Sequence, residues 1–476
     1  MPARRVASRG ARTVKSNDRP EDIYPSRPSP VRLTVLAVIQ CRLSAMGAWG
    51  LLGIVAAQLS GCGRVSYERV THLDASDSVE QRPVEGGLDG LDAPEVPSTD
   101  GSTDVLVESP PADIPSSCNA WPLTIRMALG NDFSCMIMSG ELYCWGRNDV
   151  YQLGLGDTTD RLVPTRVGTF SDWIQLTVGL EHGCALRSSG LLYCWGRNGD
   201  GELGTGDTTP RMQPTNISDV QWSSISASPG NDSATCAVQA MDGRVFCWGS
   251  GDGYQLGNGD VLQRTVPTPT LTMLGGRWSD VNLGEDFACA LYSTGHLYCW
   301  GINTTGQLGT GDTTTRMVPT QIGTSTNWTY VRGGAAHTCG LQRGGLYCWG
   351  DQVNGQTGLG AFSATPQLDP ADLVPSEAWF GLAVSGPSTC ASTADQRLFC
   401  WGDNDSGQLG TGDIRERNTP TPIMTSDRFR ALEVGGAHTC VQRTDGAFLC
   451  WGDNEFGELG RGDRVSSLVP VAVCAP

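Results

Sequence analysis

An all-β fold, a seven-bladed β-propeller preceded by a signal peptide and a disordered acidic linker, is what this sequence predicts, and three observations predict it. The tripeptide Cys-Trp-Gly begins at Cys144, Cys194, Cys247, Cys299, Cys348, Cys400 and Cys450, at intervals of 50, 53, 52, 49, 52 and 50 residues. A glycine-rich stretch follows each copy: YQLGLGD, GELGTGD, YQLGNGD, GQLGTGD, GQTGLGA, GQLGTGD and GELGRGD. Each repeat also holds four short strand-like runs with turn chemistry between them, as in VPTRV, WIQLTVG, CALRS and LLYCWG within residues 163–196. Four strands per repeat of about fifty residues, with Gly and aromatic punctuation, describe a propeller blade.

Three segments are expected along the chain: a signal peptide over residues 1–61, a lipid-attachment cysteine with a disordered acidic linker over 62–117, and the propeller over 118–476. Residues 1–62 carry nine Lys/Arg against three Asp/Glu, residues 63–117 three against twelve, and the overall charge of −17 leaves −14 on the repeats. Lys15 is the only lysine. So acidic a domain repels phosphate backbones, which argues against a nucleic-acid partner.

The uncharged run after Arg42, LSAMGAWGLLGIVAAQLSGC, is short for a membrane span and ends in small residues, as a secretory signal does. Leu59-Ser60-Gly61-Cys62 resembles the lipobox of bacterial lipoproteins, and that resemblance implies cleavage before Cys62 and its acylation. An ordinary signal peptide or an uncleaved anchor is the competing interpretation. The basic stretch before Val31 is longer than a signal needs, which suggests a start near Val31. Residues 63–117 are acidic, rich in Pro, Gly and Ser and poor in aromatics, so they bury too little apolar surface to order and serve as a tether.

Eighteen cysteines in an exported chain point to disulfides. Each Cys-Trp-Gly cysteine has one upstream mate: Cys135–Cys144, Cys184–Cys194, Cys236–Cys247, Cys289–Cys299, Cys339–Cys348, Cys390–Cys400 and Cys440–Cys450, separated by 9, 10, 11, 10, 9, 10 and 10 residues. Hairpins absorb the variation. A two-residue turn at Ser139-Gly140, a three-residue turn over Ser188–Gly190 and a four-residue loop over Ala240–Gly243 each leave the cysteines face to face, within disulfide reach. Zinc is a poor alternative, because no Cys-x₂₋₄-Cys pair meets converging histidines. Of the remaining cysteines, Cys41 lies in the signal segment and Cys62 is the lipid site. Cys118 and Cys474 stand at the two ends of the repeats. The last Pro-x-x-Val strand, PVAV, lacks a successor and the first aromatic strand lacks a predecessor, so a Cys118–Cys474 bridge would close the ring.

An aromatic opens the second strand of each repeat: Trp121, Trp173, Trp222, Trp278, Trp328, Trp379 and Phe429. Five of these precede the first hairpin cysteine by eleven residues; Trp121 and Trp222 precede it by fourteen, a looser equivalence. This regular placement argues for packing between blades.

The pattern G-x-x-H-T-C…L-Y-C-W-G-x-N-x-x-G-x-L-G-x-G-D…P-T, from about residue 122 to 473, resembles the regulator of chromosome condensation repeat family. The resemblance implies a seven-bladed propeller. Its eponymous member is a nuclear exchange factor for a small GTPase, but that activity depends on loop residues outside the shared pattern and is not expected here. Repeat five departs from the pattern over QTGLGAFSATPQLDPADLVP, so an irregular outer face is expected there.

Several residues invite a chemical interpretation. His182, His337 and His438 each precede a hairpin cysteine by two; an axial metal site is the lesser possibility, and a hydrogen bond within each one's own blade the greater. Asp157, Asp207 and Asp312 follow the Gly-x-Gly turn, but one Asp per turn is too few for calcium, and Asx turns explain them. Arg461-Gly462-Asp463 spells an adhesion tripeptide yet is one version of a repeated element. No nucleophile pattern stands apart from the repeats. What varies is the loop after Gly-x-Gly-Asp: TTDRLV, TTPRMQ, VLQRTV, AFSATPQLDPADLV, IRERNT. Fixed blades with changing loops suit recognition.

The expected function is a lipid-anchored cell-envelope scaffold, outer-membrane-held and monomeric, that binds a protein through its loop faces, with no cofactor, no metal and no catalysis. Carbohydrate or cell-wall binding, inhibition of a secreted enzyme, and an enzyme site at the mouth of the central channel are the alternatives.

Overall fold

Turn geometry decides where the strands end. In the first repeat the chain reverses at Ser139 and Gly140, with φ of 53° and 82°, so Met138 faces Glu141 across a tight hairpin. The second repeat turns over one more residue, ending at Gly190 with φ 82°, and sets Leu186 against Leu192. The third takes four and sets Val238 against Val245. In every case the cysteines end up opposed.

The computed structural model describes residues 121–475, apart from 123–124, 273–274, 375–376 and 425. Every regular element among them is a β-strand. The strands form six antiparallel sheets, five of four strands and one of seven. In a four-stranded sheet the spatial order is the chain order: Ile125–Leu129, Phe133–Met138, Glu141–Gly146, Arg161–Arg166. The seven-stranded sheet arises because Arg211–Ala227 runs 17 residues without a break. Its first part pairs with Leu191–Gly196 as an outer strand, and its second part pairs with Ala234–Gln239 as the next inner strand.

That strand corrects one expectation. Trp222 faces Gln239 as Trp173 faces Arg187, each three residues past the hairpin cysteine, so Trp222 is a full equivalent. The additional residues lie in the loop 228–233. Trp121 is the true exception. Ile125 occupies the tryptophan's rung by facing Met138, while Trp121 precedes the strand, donates its Nε1 hydrogen to the Val473 carbonyl at 2.7 Å and meets Phe448 edge-on at 5.2 Å.

Contact passes from each inner strand to the next, through Ile125–Leu129, Trp173–Val178, Arg211–Ala227, Trp278–Leu283, Trp328–Gly333, Trp379–Ser385 and Phe429–Val434, and returns to the first. The core lies between successive sheets. One cluster joins Phe133, Leu142 and Cys144 to Trp173, Leu176 and Trp195; another joins Trp121, Met136 and Trp145 to Cys440, Phe448 and Cys450 across the first and last sheets.

The repeated motifs now have a physical cause. All seven Cys-Trp-Gly tryptophans are fully buried. Each donates Nε1–H to a backbone carbonyl of the preceding repeat: Trp195 to Gln152, Trp248 to Glu202, Trp300 to Gln255, Trp349 to Gln307, Trp401 to Gln356, Trp451 to Gln408 and Trp145 to Glu458. The glycine two residues after that carbonyl lies against the same indole. At Gly257 (φ 65°) a Cβ would sit 2.6 Å from Trp300 Nε1. Only glycine fits both the backbone angle and the gap.

Seven disulfides bridge the hairpins, Cys135–Cys144, Cys184–Cys194, Cys236–Cys247, Cys289–Cys299, Cys339–Cys348, Cys390–Cys400 and Cys440–Cys450, each with Cα atoms 4.1 Å apart. Cys474 is also disulfide-bonded; its expected partner Cys118, like Cys62 and the segments 1–61 and 62–117, lies outside the described residues. In repeat five the third and outer strands lengthen to Gly345–Gln352 and Ser363–Asp372, and their register shifts twice, as it also does between Leu191–Gly196 and Arg211–Ala227.

Candidate functional site: the axial strands and the two loop ends

Opposite the first hairpin cysteine, the inner strands present Ala128, Thr177, Ser226, Asn282, Arg332, Ala383 and Glu433. Three of these side chains accept a hydrogen bond from the next repeat's backbone: Thr177 Oγ1 from Ala227 N at 3.0 Å, Ser226 Oγ from Leu283 N at 2.9 Å and Asn282 Oδ1 from Gly333 N at 2.7 Å. A guanidinium has no acceptor, so the ladder stops at Arg332. Arg332 instead stacks on the Tyr330 ring at 3.8 Å, donates to the Tyr330 hydroxyl and lies 3.7 Å from Asp280. Its side chain keeps 25% of its exposure. Burial pushes the Glu433 carboxyl up to about 7, against the pull of Arg332. The axis therefore holds one raised carboxyl within electrostatic reach of a guanidinium.

The histidines differ from expectation. His182, His337 and His438 are buried, and each bonds a hydroxyl of the next repeat rather than its own: Thr235 at 3.0 Å, Thr389 at 2.8 Å and Ser134 at 2.8 Å. Those hydroxyls donate onward to the carbonyls of Glu202, Gln356 and Glu458. A carbonyl can only accept, so each ring must carry its hydrogen on Nε2. Burial holds His182 and His337 down to about 3 and His438 to about 4. Neutral and locked between sheets, they serve as interblade ties.

The loop aspartates are also structural. Asp157, Asp207 and Asp312 accept from the backbone two residues on and bridge Arg161, Arg211 and Arg316 at 2.7–2.8 Å. Asp463 accepts from Asn454 Nδ2 and pairs with Arg461 at 2.9 Å, so the Arg-Gly-Asp side chains are engaged inside their own loop. Sequence reasoning missed Asp403, Asp405 and Glu416, the one group of three potential metal ligands within 4.8 Å of one another among the described residues.

The two ends of the barrel of sheets differ in charge. The hairpin-turn end pairs arginines with acids at short range: Arg187–Asp172, Arg244–Asp242, Arg397–Glu377 and Arg443–Asp427. It also holds a cleft of about 460 Å³ lined by Ile125, Arg126, Trp173, Ile174, Arg430 and Gln442. The opposite end carries acids in excess, among them Asp132, Asp200, Asp232, Asp252, Glu285 and Asp286, with Arg147 and Arg197 set among them. The variable loops at the rim expose apolar side chains, including Val261, Leu262, Phe362, Ile414 and Val465.

A closed run of repeated antiparallel sheets with variable exposed loops defines a β-propeller. The chain belongs to the regulator of chromosome condensation (RCC1) repeat family, whose profile matches residues 139–186, 189–236, 242–291, 294–341, 395–442 and 445–476; a second profile of the family matches 173–202, 278–307 and 429–458. The first profile skips the stretch containing the lengthened outer strand of repeat five. Among similar proteins, the ultraviolet-B receptor UVR8 of Arabidopsis thaliana is 32% identical over 303 residues, 62% of this chain and 68% of that protein. The E3 ubiquitin-protein ligase HERC2 of Homo sapiens is 26% identical over 201 residues, 41% of this chain but only 4% of HERC2. Two crystal structures share the fold: human WBSCR16, with TM-score 0.63 and 19% identity over 71% of this chain and 94% of that one, and Prp20p from Saccharomyces cerevisiae, with TM-score 0.62 and 20% identity over 73% and 88%.

Proposed function

We propose that this chain is an exported, lipid-anchored, seven-bladed propeller that binds a protein partner at the cell envelope through its loop ends, and that it is not itself an enzyme. The observation that carries this is the division of labour in the repeats. Cys, Trp, Gly, Asn and His positions are consumed by bonds within and between sheets, whereas the rim loops that differ between repeats leave apolar and charged side chains exposed. Counting the two parts of Arg211–Ala227 as the outer edge of one blade and the inner edge of the next gives seven blades of four strands. The seven hairpin disulfides suit an oxidising compartment. The crystal structure of Prp20p is described together with its binding to Gsp1p and histones, and a protein partner is the corresponding role here. Residues 1–61 would be the signal, Cys62 the acylated residue, 62–117 the tether, and Cys118–Cys474 the closing bridge of a domain spanning 118–476.

The test is affinity capture from envelope and secreted fractions with the full chain and with a variant carrying Leu262→Ser, Phe362→Ser and Ile414→Ser at exposed rim side chains. Specific capture that the loop variant loses supports the scaffold; no capture, or capture indifferent to every rim loop, overturns it. Palmitate labelling that persists in Cys62→Ser would remove the anchor.

A further inference from the structure

We propose that the end of the propeller opposite the hairpin turns is a docking surface for a basic protein segment, centred on the second to fourth repeats. The proposal rests on the scaffold function above and assigns that scaffold its face and its partner's chemistry.

Four carboxylates are fixed there by the backbone. Glu285 lies over Gly230, where a Cβ would come 3.0 Å from the Glu285 Cα, and its carbonyl accepts from Ser228 Oγ at 2.8 Å. Asp286 lies over Gly253, with its Cβ 2.9 Å from where a Cβ on that glycine would stand. Asp232 is held by its carbonyl, which accepts from Gln255 Nε2 at 3.2 Å, and Asp200 by its backbone N–H, which donates to Glu202 Oε2 at 2.8 Å. Asp252 stands exposed beside them. The cation set among them is Arg197, 3.2 Å from Asp200 and 3.7 Å from Glu181.

Two further acceptors lie beneath these carboxylates. Glu202 and Gln255 are fully buried, and one oxygen of each, Oε1, meets no donor. Gln255 turns that oxygen toward the gap between Gly253 and Asp286, 2.9 Å from the point a Gly253 Cβ would fill. In other repeats the equivalent glutamine is satisfied on both sides: Gln408 accepts from Ser406 N and donates to Asp403, and Gln356 accepts from Asn354 N and donates to Asp351. The second and third repeats thus leave two buried acceptor oxygens open beside their carboxylates, where Gln356 and Gln408 leave none. Burial and mutual repulsion raise the proton affinity of Asp200, Glu285 and Asp286.

The spread of the charge selects the ligand. No three of these carboxylates converge within 4.8 Å, the spacing a single divalent ion would require among the described residues. A row of separated acids fits a chain that brings several guanidinium or ammonium groups, each meeting its own carboxylate.

The probe is a fluorescein-labelled octa-arginine peptide, with octaglutamate as control, titrated into the full chain at low salt and followed by anisotropy. Octa-arginine should bind, octaglutamate should not, and binding should weaken steeply with added salt. The triple variant D232N/E285Q/D286N should raise Kd at least tenfold, while D242N/D395N/D445N, the same charge change on the hairpin-turn end, should raise it less than threefold. Unchanged thermal midpoints would show that both variants fold. No binding, or equal weakening by both triples, overturns the surface. So would calcium chloride raising the midpoint of the wild type but not of the first triple while octa-arginine fails to compete. If a protein is captured yet octa-arginine does not bind, this surface fails and the scaffold stands on another face.

Discussion

Trp145 donates its indole hydrogen to the carbonyl of Glu458 at 2.6 Å, across 313 positions of sequence. The same carbonyl accepts from Ser134 Oγ at 3.0 Å, and Ser134 is bonded in turn by His438 at 2.8 Å. The first and last repeats therefore meet through the indole contact that joins every other pair, with the Trp121–Val473 bond added at this seam. It also carries a glutamate, as the second repeat does at Glu202. Position 458 is glutamate where the equivalent residue in most repeats is glutamine, and that substitution should be visible in the pH dependence of stability.

Gln408 shows the ordinary arrangement, with Oε1 accepting from Ser406 N and Nε2 donating to Asp403 at 2.9 Å. Glu458 accepts from Phe456 N at 2.9 Å but has no amide to offer Asp453, the counterpart of Asp403. Burial, with Asp453 and Asp132 adding repulsion, pushes its carboxyl up to about 7 from an ordinary 4.5. A folded-state value above the unfolded one means the native protein holds the proton longer. Stability is therefore lost as pH rises from about 4.5 through 7, by about 3 kcal/mol at most. Glu458→Gln should recover much of that loss at pH 8 and change little at pH 4.5, read as urea midpoints at the two pH values. Identical pH profiles for the two proteins would contradict it.

The histidines set the opposite limb. Buried and held well below 6.5, they are neutral in the native protein and must be protonated on unfolding in acid, so their contribution is complete above about 6.5 and falls away toward 3 to 4. Phe133 and Phe287 occupy the same place in the first and fourth repeats, so the site accepts an aromatic without a titrating group. His337→Phe should flatten the acid limb while leaving stability at pH 7 within about 1–2 kcal/mol, the worth of the lost bond to Thr389. Thermal scans from pH 4 to 7 decide the matter; equal acid sensitivity would remove the assignment.

The parts legible in the sequence are those set by local geometry. Cysteine separations of 9, 10 and 11 resolve into one register because turn length alone differs, and the tryptophan spacing marks the surfaces that face other sheets. Less legible was anything decided between repeats. Arg211–Ala227 passes unbroken from one sheet position to the next where other joins turn at a glycine of positive φ, Gly168 (62°) or Gly323 (57°), and its own join, ISDVQ, holds none. The histidines' partners, Thr235, Thr389 and Ser134, stand about fifty or some three hundred residues away. Likewise Asp200, Asp232 and Asp286 become neighbours only when successive sheets wrap side by side.

Glycine at the indole contact should be irreplaceable, and a control separates strain from packing. Gly309 has φ 73° and its Cβ would stand 2.7 Å from Trp349 Nε1. Gly323 has φ 57° and nothing within 4 Å. Alanine at either site suffers the left-handed backbone penalty of about 1–2 kcal/mol, but only Gly309→Ala also displaces a buried tryptophan and its bond to Gln307. Its cost should exceed that of Gly323→Ala by about 2 kcal/mol or more in denaturant unfolding. Equal costs would mean the indole has room to move.

Loop length ranks the disulfides. A hairpin bridge such as Cys289–Cys299 spans 10 residues, so in the chain-entropy model its loss costs about 2–3 kcal/mol. Cys474 follows Val473, whose carbonyl holds Trp121 and whose side chain is buried with the first sheet, so the chain's end is fixed against its beginning. If Cys474 is bonded to Cys118 as proposed, the closed loop takes in the whole set of repeats. The same model then gives about 5–6 kcal/mol, because the term grows with the logarithm of loop length. Cys474→Ser should therefore destabilise the oxidised protein about twice as much as the double variant Cys289→Ser/Cys299→Ser, and should leave one new free thiol rather than none. Guanidinium unfolding ranks the two, and thiol titration with peptide mapping identifies the freed residue. A freed cysteine other than Cys118, or a smaller loss for Cys474→Ser than for the hairpin pair, would show that the ring is held shut by its packing and indole bonds alone.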